Sequence, residues 1–154
     1  MKKLLITALF IIGIAGCSSD DSAESSNTQD QIIGKWRLVK EVFYMDNQGT
    51  YEIQADQCET LSSTEYKTNN SVAGIYYTDN ESQGVCQIEN IDWIYNNWTF
   101  LGQNMYQFKS KIQGENEEIY TRKVLFSSNN MIIESTYFDG DSNNKRESVY
   151  IKLN

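Results

Sequence analysis

The sequence predicts an all-β domain, an antiparallel up-and-down meander of about eight strands that closes into a β-barrel. Three observations carry this expectation. From Ile32 onward the apolar residues recur with period two and not 3.6. The runs are dominated by Tyr, Phe, Trp, Ile and Val, the residues that fit a pleated, half-buried surface. The breaks between runs are clusters of Asn, Asp, Ser and Gly, several of which accept the positive φ that tight hairpins demand.

The first strand is expected near 34–45, with Trp36, Leu38 and Val42 on one face. Shorter runs follow near 50–54, 63–69 and 72–79, and a turn or two of helix suits Gln57–Ser62. The run near 91–100 is dense in aromatics. In 105–113, Tyr106, Phe108, Ser110 and Ile112 face one way, and Gln107, Lys109 and Lys111 face the other. In 118–127, Tyr120, Val124 and Phe126 oppose Lys123. A strand near 131–138 leads to a closing ninth at 147–153, where Val149, Ile151 and Leu153 oppose Ser148 and Lys152. Gly102-Gln103-Asn104, Gly114-Glu115-Asn116 and Ser127-Ser128-Asn129-Asn130 mark hairpins between them. Strands with one wet and one dry face belong to antiparallel sheets, and closure removes their unpaired edges.

Composition narrows the function. At 154 residues the chain has room for one domain of ordinary size. It contains no histidine, which removes the commonest general base, the Ser-His and Cys-His nucleophile pairs, and the commonest ligand of catalytic zinc. No pair of carboxylates is placed by the period-two pattern for acid–base work. The expectation is a protein that is not an enzyme, with no catalytic set and no cofactor. A net charge of -8 with 21 acidic residues against 13 basic ones excludes a grip on nucleic-acid phosphates.

The amino-terminal segment reads as an address. Lys2 and Lys3 precede an apolar run from Leu4 to Ile14. That run is too short to span roughly 30 Å of hydrocarbon, which takes about 20 helical residues, and it suits a secretory signal. The following Ile14-Ala15-Gly16-Cys17 resembles the lipobox of bacterial lipoproteins. The resemblance implies that residues 1–16 are a lipoprotein signal peptide. It also implies that Cys17 carries a diacylglyceryl group with palmitate-type chains that anchors the protein to a membrane. More than one acyl chain is what stable anchoring needs. Ser18-Ser19-Asp20-Asp21 is similar to the export signal of surface lipoproteins in the Bacteroidota, which implies the outer face of the outer membrane. Residues 17–31 hold little apolar surface beyond Ala23 and read as a flexible tether. Removing residues 1–16 leaves 11 basic against 21 acidic residues, a charge of about -10.

With Cys17 lipidated, Cys58 and Cys86 remain, in a chain bound for an oxidising compartment, and one pairing is left to them. A structural disulfide is expected.

Gly34-Lys35-Trp36 opens the first strand, followed by Asp56-Gln57-Cys58, Gly84-Val85-Cys86 and Trp98 ahead of Leu101-Gly102-Gln103-Asn104. Together these resemble the lipocalin-like domain of many small Bacteroidota lipoproteins, over about residues 32–154. Trp98 departs from the pattern, preceded by Tyr95-Asn96-Asn97 where the family has a Gly-x pair. The resemblance implies a lipocalin-like barrel, an architecture just wide enough for one small ligand. Tyr76, Trp93, Tyr95 and Trp98 are the candidate ligand-binding residues, because aromatic side chains with a polar tip line and orient such pockets. Asp139-Gly140-Asp141-Ser142-Asn143 has the spacing that opens a calcium loop. Its sixth and twelfth positions are Asn144 and Tyr150 instead of Gly and Glu, so a hairpin turn is expected there and no metal.

Two functions of different class follow. One is binding of a small apolar or amphipathic ligand inside the barrel. The other is an acidic surface module, an inhibitor or adhesin, that attracts a cationic protein partner without a pocket.

Overall fold

The computed structural model describes residues 31–46, 49–80, 84–139 and 142–154. The signal, Cys17 and the tether lie outside the described residues, as do Gly140 and Asp141 of the calcium-like spacing.

The chain is all-β. Its strands are β1 (Gly34–Met45), β2 (Gly49–Gln54), β3 (Ser63–Tyr66), β4 (Val72–Asn80), β5 (Val85–Glu89), β6 (Trp93–Gly102), β7 (Met105–Ile112), β8 (Glu118–Ser127), β9 (Asn130–Asp139) and β10 (Ser142–Leu153). All pairings are antiparallel, in the order β5-β4-β3-β1-β10-β9-β8-β7-β6. β2 and β3 share one edge of β1, β2 against Lys40–Met45 and β3 against Gly34–Trp36. Between them the chain leaves the sheet through the 3₁₀ turn Glu59–Leu61, inside the stretch where a helical turn is expected.

The expected closure is corrected by this order: the sheet does not close into a barrel. Its ends, β5 and β6, share no ladder. What meets β6 is the chain entering β4, where Ser71 bridges Asn97 and the Trp98 N–H donates to the Asn70 carbonyl at 2.9 Å. The physical cause is local. β4 gives its first half to β3 and its second half to β5, so β5 extends beyond the contact. β6 carries a register shift between Trp93 and Tyr95 that turns the strand just past the bridge. The strand count rises to ten because Val85–Glu89, a run with no polar–apolar alternation pointing to a core, pairs with Tyr76–Asn80.

One end of the curved sheet is packed shut. Ile32, Trp36, Tyr66, Trp98, Tyr106, Phe108, Val124 and Met131 form the core, with Phe100, Phe126 and Ile133 against it. Its rings meet tilted or edge-on, Trp98 and Phe100 each against Tyr106 at centroid distances of 6.0 and 5.0 Å. The glycine of Gly34-Lys35-Trp36 has a steric reason here. Gly34 has φ +133°, and the Lys152 side chain crosses the space a Cβ would need, placing its ammonium 5.3 Å from the Trp36 ring centre. The Trp36 indole N–H donates to the Ile32 carbonyl at 2.8 Å, which ties the entering chain to the core.

Cys58 and Cys86 form a disulfide, as expected. The bond joins β5 to the segment between β2 and β3. Cys86 is half-buried while the other β5 side chains are exposed, so the covalent link replaces the apolar burial that strand lacks.

Two assigned faces are corrected. In β1 the register shifts between Leu38 and Lys40, with Val39 as the extra residue. Beyond it Glu41, opposite Ser148, shares the inner face with Trp36 and Leu38, and Val42 turns away. In β10 the inner residues are Ser148 and Tyr150, so Val149, Ile151 and Leu153 lie on the opposite face from the one their apolarity suggests.

Candidate functional site

Above the aromatic core the inner faces of the strands diverge around a cavity of about 340 Å³. The alternation of each strand builds it. Along β7 the inward residues run Tyr106, Phe108, Ser110, from core through floor to wall. Along β8 they run Val124, Arg122, Tyr120, Glu118, and along β9 Met131, Ile133, Ser135. β10 contributes Tyr150, Ser148 and Arg146, β3 Thr64 and Tyr66, β4 Val72 and Tyr76, and β6 Trp93 and Asn96. The floor is aromatic and aliphatic; the wall is hydroxyls, two guanidinium groups and rings.

The candidate aromatics separate. Tyr76 and Trp93 line the cavity. Tyr95 faces the other way, where its hydroxyl bonds Glu117 and the Lys109 ammonium sits 5.6 Å from its ring centre. The register shift after Trp93 reverses the parity between these two residues. Trp98 lies beneath the cavity, 1% exposed in the core, where its indole N–H has no hydrogen-bond partner among the described residues. The cavity residues that the sequence reading missed are Arg122, Arg146, Tyr120, Tyr150 and the serines. Counting two by two along β8 from Val124 finds Arg122 and Tyr120.

Tyr76 is also a partition. It borders a second space of about 240 Å³ that reaches Trp36, Leu38 and Ser63. Gly74 allows this: a side chain there would overlap the Tyr76 ring.

Burial sets the electrostatics of the tyrosines. Packing pushes the Tyr150 hydroxyl up to about 12, with the Glu41 carboxylate adding to the effect. Burial also holds Tyr66 well above the usual range and raises Tyr120, the latter against the pull of Arg122. These hydroxyls are neutral donors at physiological pH. Arg146 lies 3.6 Å from Glu41, and its Nε donates to the Ser135 hydroxyl at 3.3 Å. The Ser148 hydroxyl donates to Glu41 at 3.1 Å.

The wall has a split. The β8–β9 ladder runs only from Ser127–Asn130 to Lys123–Glu134; beyond that pair β8 continues with β7 and β9 with β10. A groove of about 270 Å³ enters the split from outside and shares Arg122 and Ser135 with the cavity. Glu134 closes its base, paired with Lys123 at 3.3 Å and Lys145 at 3.0 Å, while Lys145 also holds Glu147 at 2.6 Å. Burial disfavours the Glu134 charge, but the two lysines outweigh it and hold the carboxyl below its usual value.

No family model matches the chain, and no curated protein or solved structure matches it. The arrangement therefore speaks through its own chemistry. It offers rings for stacking, hydroxyls and a guanidinium for polar groups, and an opening at the rim and another through the wall. Among the described residues no cluster of Cys, Asp and Glu is grouped to hold a metal ion.

Proposed function

We propose that this protein is a lipocalin-like lipoprotein of the cell envelope, anchored through Cys17, that binds a small amphipathic ligand in the cavity above its aromatic core. The observation that supports the reading most is that cavity of about 340 Å³, which falls in the range of small-molecule sites. An amphipathic ligand fits better than a wholly apolar one. Buried hydroxyls and guanidinium groups that meet only hydrocarbon lose their hydration without replacement. The lack of histidine suits a site that holds its ligand without transforming it.

Native mass spectrometry of the purified full chain, with solvent extraction, tests this. A stoichiometric small molecule is expected. Its loss when Ser110 and Ser148 are both replaced by Leu, which fills the cavity, would assign it to the site. A molecule retained by a folded, filled variant would sink the reading.

A second reading, recognition of a protein partner, draws support from the unpaired edges of β5 and β6. Val85 and Ile88 on β5 and Ile94 on β6 are each more than half exposed there. Such edges invite another strand. On an acidic chain the partner is cationic, and binding should weaken with salt and survive filling of the cavity.

A further inference from the structure

The cavity holds two arginines whose circumstances differ. Arg146 is matched, by Glu41 and by the Ser135 hydroxyl. Arg122 lies within 4.0 Å of no carboxylate among the described residues. The contacts it does make are its own strand's Thr121 carbonyl at 3.2 Å and the Tyr120 ring, 4.9 Å from the guanidinium carbon. This is an odd economy in a chain with 21 acidic residues. Glu118, on the same face of β8, lies four residues away, roughly 13 Å along a strand, at the exposed rim. A half-buried guanidinium keeps unused donors in a planar fork, the geometry that accepts a carboxylate through two parallel bonds.

The rest of the wall selects what carries that carboxylate. The Tyr120 ring lies beside Arg122, and the same cavity is lined further toward the rim by the rings of Tyr76 and Trp93 and by the hydroxyls of Ser110 and Ser148. An alkyl chain in contact with this wall would cover the hydroxyls and leave them unpaired. A flat ring stacks on the aromatic faces and leaves the hydroxyls at its edges. Size agrees: a cavity of about 150 Å³ takes one benzene, so one of about 340 Å³ takes roughly a bicyclic ring system.

We propose that the ligand is a small planar aromatic carboxylate, with its carboxylate paired to Arg122 and its rings among the aromatic side chains of the wall. This rests on the cavity-binding reading above. The Glu118 carboxylate at the rim repels the same anion and so sets the ligand's direction, charge inward. The β8–β9 split exposes Arg122 to solvent from behind, so the anion arrives at a guanidinium that is still partly hydrated.

Isothermal titration calorimetry on the purified full chain tests the proposal with three probes: 2-naphthoate, its neutral isostere 2-naphthamide, and laurate. Naphthoate should bind about tenfold or more tighter than the amide. Arg122→Gln should abolish that preference, and Arg122→Lys should recover part of it. A circular dichroism spectrum and melting temperature like the parent's certify that each variant is folded. Equal affinity for naphthoate and amide, or a preference that survives Arg122→Gln, would overturn the role of Arg122 while leaving the cavity-binding reading in place. Laurate binding tighter than naphthoate would overturn the aromatic class alone. No binding by any probe overturns the proposal; a molecule still found by native mass spectrometry and lost on filling the cavity would then show that the wider reading survives it.

Discussion

The ring of Tyr76 lies over the bare backbone of Gly74, in the space where any side chain at that position would stand. Two residues on one strand face are thereby coupled. The smaller is absent so that the larger can fold back and divide the cavity from the space beside Trp36. Gly74→Ala should push Tyr76 out of this position at a cost of about 1–3 kcal/mol, the usual range for overpacking. In a Tyr76→Ala background the same change should cost much less. A double-mutant cycle by urea denaturation measures the coupling, and strictly additive costs would show that the ring does not depend on the glycine.

Gly34 answers to two constraints at once. Its φ of +133° lies where side chains are strained, and the Lys152 Cε sits 2.7 Å from the ideal Cβ position. Gly34→Ala should lower stability by about 2 kcal/mol or more. Lys152→Ala, which loses only the cation over Trp36, should cost about 0.5–1 kcal/mol. Combining them should restore part of the loss and leave the backbone contribution. Full restoration in thermal melts would mean that the φ angle carries no strain.

The disulfide ties β5, which buries little apolar surface, to the segment between β2 and β3. It closes a loop with a sequence separation of 28, for which chain entropy suggests about 3.5 kcal/mol. Replacing Cys58 and Cys86 by Ser should lower stability by up to that amount and make the amides of Val85–Glu89 exchange rapidly. Those of β7 and β10 should stay protected relative to global unfolding. Hydrogen exchange that slows or speeds uniformly across both regions would contradict this division.

Acid should weaken the base of the β8–β9 split. Glu134 has a depressed pKa in the folded chain, so the stability it contributes is present above its unfolded value of about 4.3 and is lost as pH falls through the folded value. Lys145 is raised, chiefly by its bond to Glu147, so its contribution holds below about 10.4 and fades at higher pH. Between these limits the clamp is intact. Glu134→Gln should cost about 0.5–1 kcal/mol at neutral pH and flatten the acid limb of the stability curve. An acid limb identical to the parent's, followed by melting from pH 3 to 7, would place the acid-sensitive group elsewhere.

Much of this fold is readable from the chain alone, for a definite reason. Period-two alternation is enforced wherever one face of a strand packs on the core, so β1, β7 and β8 begin and end within a residue or so of where their patterns place them. Hairpins are equally legible because positive φ restricts the residues that fit. Gln103, Asn104 and Ser128 adopt it in the turns marked for them. The Cys58–Cys86 pairing follows from a count of cysteines. Strand β5 escapes because it buries almost nothing: Val85 and Ile88 are both about half exposed, and no alternation records a face that does not exist.

The amino-acid sequence by itself determined the all-β class, the hairpin positions, the staple and the aromatic floor, since each depends on contacts near in the chain or on simple apolarity. Only the tertiary structure decided which residues face the cavity. Two single-residue register shifts, at Val39 and before Tyr95, reverse parity within a strand and leave little trace in composition. In β10 the inner face is the polar one, with Ser148 buried and Arg146 in the wall, while Val149 and Ile151 face away. A rule that sends apolar residues inward chooses the wrong face wherever the interior is itself polar. That is the case above the floor of this sheet, where Arg122 stands with its guanidinium unmatched by any carboxylate among the described residues.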